Sequence, residues 1–163
     1  MKKLIFVLML AASLFGAGAA RGKTPYLGEE ELKAAAEQGL GEILDLWREG
    51  KYDELYDRTL LGGKQTKEGF IGRIASAPYR PVCCWEKLQE VRSTVKGDDS
   101  VAIRAKVGLE GAGDTSFKTR DFKLVNEDGV WRISQADILS LSGAGAKKKA
   151  HHRATRKKRY HYH

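Results

Sequence analysis

Between Glu29 and Trp47 the apolar positions Leu32, Ala36, Leu40, Ile43, Leu44 and Trp47 recur at steps of three and four, the period that gathers one face of an α-helix. Glu29, Glu30 and Glu31 open this stretch, where acidic charge complements the helix dipole. Gly39 and Gly41 weaken the helix but leave room for a close neighbour, and Gly50 ends it. A second, short helix follows, with Tyr52, Leu55 and Tyr56 on one side and Asp53, Glu54 and Asp57 on the other. After a break at Gly62-Gly63, Thr66 starts a third helix whose apolar residues are Phe70, Ile71, Ile74 and Ala75; Pro78 and Pro81 stop it.

From Val82 onward the period falls to about 2, that of extended strands. Cys83 to Leu88 reads as a first strand and Val91 to Lys96 as a second, which turns at Gly97-Asp98-Asp99. Ser100 to Leu109 then places Val101, Ile103, Ala105, Val107 and Leu109 on one face, with Arg104 and Lys106 toward water. Gly111 to Asp114 turns the chain into a strand over Ser116 to Val125, and Glu127-Asp128-Gly129 turns it again into Val130 to Ser134. Three N-terminal helices followed by four to five antiparallel strands predict an α+β fold, helices packed on one face of a curved antiparallel sheet.

The ends of the chain depart from this pattern. Lys2 and Lys3 precede an apolar run from Leu4 to Phe15 and the small residues Ala17-Gly18-Ala19, the grammar of a cleavable signal peptide over residues 1–20. The run is too short to anchor the chain as a spanning helix, which needs about 20 apolar residues. Residues 21–163 then suffice for one domain and its appendage. The expected address is the periplasm or the extracellular space.

Charge divides the remainder. Residues 21–146 carry 19 Lys and Arg against 21 Asp and Glu, while residues 147–163 hold eight bases and no acid. The basic excess therefore belongs to the tail and not to the surface of the domain. Cys83 and Cys84 are the only cysteines, adjacent in sequence. On a strand they would point to opposite faces; a vicinal disulfide is the alternative, and their spacing excludes CxxC-type redox or metal chemistry.

Three segments resemble the nuclear transport factor 2-like superfamily, also described as the SnoaL-like or cystatin-like cone fold. They are Leu44 to Tyr56, the Gly97-Asp98-Asp99 hairpin with its following strand, and Phe122 to Ser134, whose acid-Gly-x-Trp-basic-Ile pattern is Asp128-Gly129-Val130-Trp131-Arg132-Ile133. The likeness covers most of Glu30 to Leu141. It implies a cone-shaped cavity between sheet and helices, which some relatives, the ketosteroid isomerases and polyketide cyclases, use for catalysis and many others for binding.

Catalysis in such a cavity requires a polar acid or base inside an apolar pocket, where burial tunes it. All four histidines lie in the tail, which removes the histidine-dependent dehydratase pattern of part of the family. Candidate catalytic groups are Tyr52, Tyr56, Asp57 and Asp121, with Arg104 and Arg120 beside them. Against each stands a structural role: Asp57 on a solvated helix face, the tyrosines at the core edge, and Asp121 on the outer side of its strand, because Phe122 and Leu124 share the inner one. A ligand pocket would draw on Trp47, Tyr56, Phe70, Trp85 and Phe122, although Trp85 and Trp131 read first as core aromatics. No cofactor signature is present in the sequence.

Residues 142–163 form a flexible linker, Ser142 to Ala146, and a basic, histidine-rich tail. Lys147, Lys148, Lys149, Arg153, Arg156, Lys157, Lys158 and Arg159 suit a polyanion. His151, His152, His161 and His163 suit adaptable metal capture. Plain solvation of the charges is the third reading. Taken together, the residues predict a non-catalytic exported domain at 21–141 that binds a small apolar ligand or a partner, including a second copy, with its tail on an anionic envelope polymer or lipid surface. Export makes cytoplasmic nucleic acid an unsuitable target. An isomerase, cyclase or hydrolase is the alternative.

Overall fold

The structure is a computed structural model, and it describes residues 28–60 and 65–144. The predicted signal peptide, the Gly62-Gly63 break and the basic, histidine-rich tail lie outside these residues.

Helix α1 spans Glu29–Arg48, and Leu32, Ala36, Leu40, Ile43, Leu44 and Trp47 are buried along it, the face that the periodicity predicts. Gly28 donates its N–H to Glu31 Oε2 at 3.2 Å, satisfying one of the free donors at the helix start. Helices α2 (Tyr52–Asp57) and α3 (Lys67–Ala75) follow; Thr66 caps α3 by accepting from Gly69 N at 3.2 Å.

The strands are β1 (Arg80–Pro81), β2 (Leu88–Gly97), β3 (Ser100–Glu110), β4 (Thr115–Glu127) and β5 (Val130–Ile133), all antiparallel in one curled sheet. β3 is central: β2 and the short β1 share one of its edges, and β4 then β5 extend the other. The β4–β5 turn has positive φ at both Asp128 and Gly129, the conformation of a type I′ hairpin that matches strand twist. Beyond β5, Thr59 makes a parallel bridge to Ile133 and Leu60 donates to the Ile133 carbonyl at 2.9 Å, so the chain leaving α2 covers that edge.

Val101, Ile103, Ala105, Val107 and Leu109 of β3 are buried without exception and form the inner face with Phe122 and Leu124. α1 lies across this face. A Cβ on Gly39 would stand 2.6 Å from Trp131 Cβ, so the helix approaches β5 as closely as a side-chain-free position allows.

Several sequence expectations need correction. Cys83 to Leu88 is not a strand: Cys84–Lys87 forms a single 3₁₀ turn, and β2 begins at Leu88. Strand β2 starts ahead of the predicted Val91 to Lys96 strand and carries a register shift between Gln89 and Arg92, where Glu90 has φ of 51°. Trp85 is not a core aromatic, since 75% of it is exposed on that turn. A further helix, α4 (Gln135–Leu141), follows β5 and buries Ile138, Leu139 and Leu141. Packing continues past it: Ser142 is buried, and Ala144 rests on the core in a segment whose composition reads as linker.

Candidate functional site

Two surface clefts concentrate the polar chemistry of the domain. The larger, about 410 Å³, runs between α1 and α2 and is lined by Glu42, Asp45, Leu46, Glu49, Glu54, Asp57 and Arg58. Most of its carboxylates are already engaged. Arg58 bridges to Glu42 at 2.9 Å while its Nε donates to the Trp131 carbonyl at 3.0 Å, and Lys87 bridges to Asp45. The guanidinium donating to Glu42 holds that carboxyl below its ordinary range. This cleft is a network that staples α2, α1 and β5 together.

Asp57 is exposed at its rim, with Lys67 Nζ 3.5 Å away and 3.2 Å from Asp53. Tyr52 and Tyr56 are half-buried against the core, and the Tyr56 ring lies 5.7 Å from that of Phe70.

The second cleft, about 280 Å³, lies where α4 faces β4 and is lined by Arg104, Thr119, Arg120, Asp121, Phe122, Asp137 and Ser140. β5 pairs only with residues Leu124 to Glu127 of β4, which leaves the earlier part of β4 beside α4. Arg120 pairs in register with Ala105, and Lys118 with Val107. Both cations thus fall on the inner side of the sheet, continuing the row of Leu124 and Phe122. Along β4 the inward row is apolar at Leu124 and Phe122 and cationic at Arg120 and Lys118.

Lys118 Nζ sits 4.2 Å from the centroid of the Tyr79 ring and donates to the Leu141 carbonyl at 3.3 Å. Burial and the charge of Arg120 lower its pKa. Asp137, in the first turn of α4, has its carboxyl raised by burial, an effect partly opposed by Arg120. Arg104 grips Asp121 with 2.9 and 3.0 Å hydrogen bonds on the outer, exposed side.

Of the five residues expected to line a pocket, Trp47, Phe70 and Phe122 are buried in the core, Tyr56 is at its edge, and Trp85 stands apart on its turn. Phe122 alone of the five lines either cleft. Asp137 and Ser140 were not legible as site residues, because α4 is one short amphipathic stretch whose only signals are Ser134 before it and the apolar Ile138, Leu139 and Leu141. Among the described residues no group of three or more His, Cys, Asp or Glu is placed to hold a metal ion. None of their helices is long and apolar enough to cross a membrane.

No family model matches the chain. It is similar to a chloroplastic protein of Arabidopsis thaliana, with 32% identity over 137 residues, 75% of this chain. It spans 38% of the length of that curated relative. Among solved structures it is similar to a candidate polyketide cyclase from Xanthomonas campestris pv. campestris, at 14% identity and a TM-score of 0.41, covering 63% of this chain and 90% of the other. That score is too low for the fold or activity of one to be read from the other.

Proposed function

We propose that this chain is a binding domain of the nuclear transport factor 2-like cone class that takes a small anionic molecule at the mouth between β4 and α4. The observation that carries this reading is the change along the inward row of β4: Leu124 and Phe122 are buried in the core, and beyond them an exposed Arg120 lines the cleft. Trp47, Phe70, Ile103 and Phe122 are packed into the core, and an accessible guanidinium in a cleft that Ser140 also lines suits a carboxylate or phosphate.

NMR titration of the protein with acetate and inorganic phosphate tests it. Saturable shifts at Arg120, Asp137 and Ser140 that vanish in Arg120→Ala support the reading; shifts scattered over the surface, or unchanged in that variant, overturn it.

The second part of the reading concerns address. A basic start, an apolar run and small residues at positions 1–20 support export, and eight bases without an acid at 147–163 support attachment to an anionic polymer or lipid. The name of the plant relative, which places that protein in the chloroplast, supports a second address, the plastid. Fusing residues 1–27 to a reporter in bacterial cells separates the two: processing and periplasmic recovery support export to the envelope, and retention of an uncleaved fusion in the cytoplasm counts against it.

A further inference from the structure

The turn that interrupts the predicted first strand carries chemistry used by neither cleft. Cys83 and Cys84 are joined by a disulfide, and both residues are exposed. Cys84 has φ of 64°, a left-handed conformation that a non-glycine residue adopts only at an energetic cost. The next residue, Trp85, has three quarters of its surface in water (75%), and Phe117 on the neighbouring β4 is 43% exposed.

Both ends of the turn are tied to β3. Val82 N donates to the Gly108 carbonyl at 3.0 Å, and Leu88 pairs with Val107. The turn also lies directly on the sheet: a Cβ on Gly108 would stand 2.4 Å from the Glu86 carbonyl, 2.6 Å from Val82 Cγ2 and 3.2 Å from the Phe117 ring. The turn thus presents an exposed disulfide and the exposed Trp85, while Phe117, over Gly108, has Lys106 Nζ 5.1 Å from its ring centroid.

We propose that Cys83–Cys84 is a reversible redox site whose substrate is a dithiol, and that its oxidation state sets the position of Trp85. One thiolate of the incoming dithiol attacks an accessible sulfur, the S–S bond breaks, and the other cysteine leaves as a thiolate. The second thiol of the reductant then attacks the resulting mixed disulfide, closes its own disulfide and releases Cys83 and Cys84 as free thiols. Two electrons and two protons pass from the dithiol to the pair; a disulfide such as oxidised glutathione reverses the exchange. Opening the ring formed by the adjacent cysteines frees Cys84 to leave the left-handed region, and Trp85, its direct neighbour, moves with it. The aromatic surface that Trp85 exposes therefore differs between the two states.

The full chain is treated with dithiothreitol without denaturant, then with oxidised glutathione, and followed by alkylation, intact mass and tryptophan emission. The oxidised protein is expected to take up no alkylating reagent, and the reduced, still folded protein two equivalents, with a mass gain of two hydrogens before alkylation and full reversal on reoxidation. Emission is expected to change with reduction in the wild type and to lose that change in Trp85→Phe and in the double variant Cys83→Ser/Cys84→Ser. Circular dichroism of each form shows that the fold persists. Two alkylatable thiols before any reductant, a disulfide reduced only after unfolding, or an emission change that survives in Trp85→Phe overturns the proposal.

Discussion

Asp137 is a half-buried carboxylate whose pKa lies above its ordinary value because burial disfavours its charge more than Arg120 favours it. The native state therefore holds this proton more tightly than the unfolded chain does. Stability contributed by the protonated form is present below the unfolded value, about 3.9, and is lost as pH rises through the higher native value. Urea unfolding of wild type and Asp137→Asn across acid to neutral pH checks this: the wild type should lose stability over that window relative to the variant. A curve parallel to that of the variant would show that the carboxyl carries no such penalty. Asp121 offers the contrast. Its pair with Arg104 is well formed but its side chain is 73% exposed and that of Arg104 57%, so Asp121→Asn should change stability by less than about 0.5 kcal/mol. The same denaturation series measures it. The outward position of Asp121 was legible in the sequence from the alternation around Phe122 and Leu124. The position of Asp137 was not, since it depends on how α4 meets β4.

At the scale of elements, the packing of α1 on β5 rests on one absent side chain. In an exposed helix Gly39→Ala would be stabilising by up to about 1 kcal/mol. Here the new methyl would meet Trp131 at its Cβ, 2.6 Å away, with Trp131 Cγ at 2.8 Å, atoms close to the backbone that cannot rotate aside. Overpacking of this kind costs roughly 1–3 kcal/mol, and the expected outcome is a net loss of about 2 kcal/mol in Gly39→Ala, read from thermal or urea unfolding. An unchanged or raised melting temperature would mean that α1 and β5 can separate without penalty. Gly41 makes the control, because its added Cβ meets only Lys87 Nζ at 3.8 Å; Gly41→Ala should be neutral or stabilising. The helical period already sets Gly39 on the apolar face with Ala36 and Ile43 and Gly41 off it, but only the structure shows that Trp131 stands against Gly39.

For the whole molecule, the split between a near-neutral domain and a basic tail predicts that folding and attachment are separable. Removing residues 147–163 should leave the melting temperature of the domain unchanged, because the hydrophobic core of the described residues is complete between Leu32 and Ala144. Retention on vesicles containing anionic lipid should fall to background in the same truncation, and in the full chain should weaken steeply as salt rises, since the attraction is screened within a Debye length of about 10 Å at 0.1 M. Co-sedimentation at two salt concentrations reads both effects. A truncation that melts lower, or that still binds, would place the tail within the fold or the attachment site within the domain.

The sequence by itself determined the three helices, the buried face of α1, the meander of β2 to β5 and the inward alternation of β3, because these follow from local period and turn chemistry: 3.6 against 2, with Gly and Asp at the reversals. It also determined the separation of charge between domain and tail, which is a matter of counting. Tertiary structure alone decided the rest. Whether Cys83-Cys84-Trp85 extends as a strand or folds into a turn depends on Gly108 and Phe117 beneath it, more than twenty residues away in the chain. That Arg120, Asp137 and Ser140 share a cleft follows from α4 docking beside the part of β4 that β5 does not cover. Such juxtapositions arise from packing between distant segments, and no local pattern encodes them.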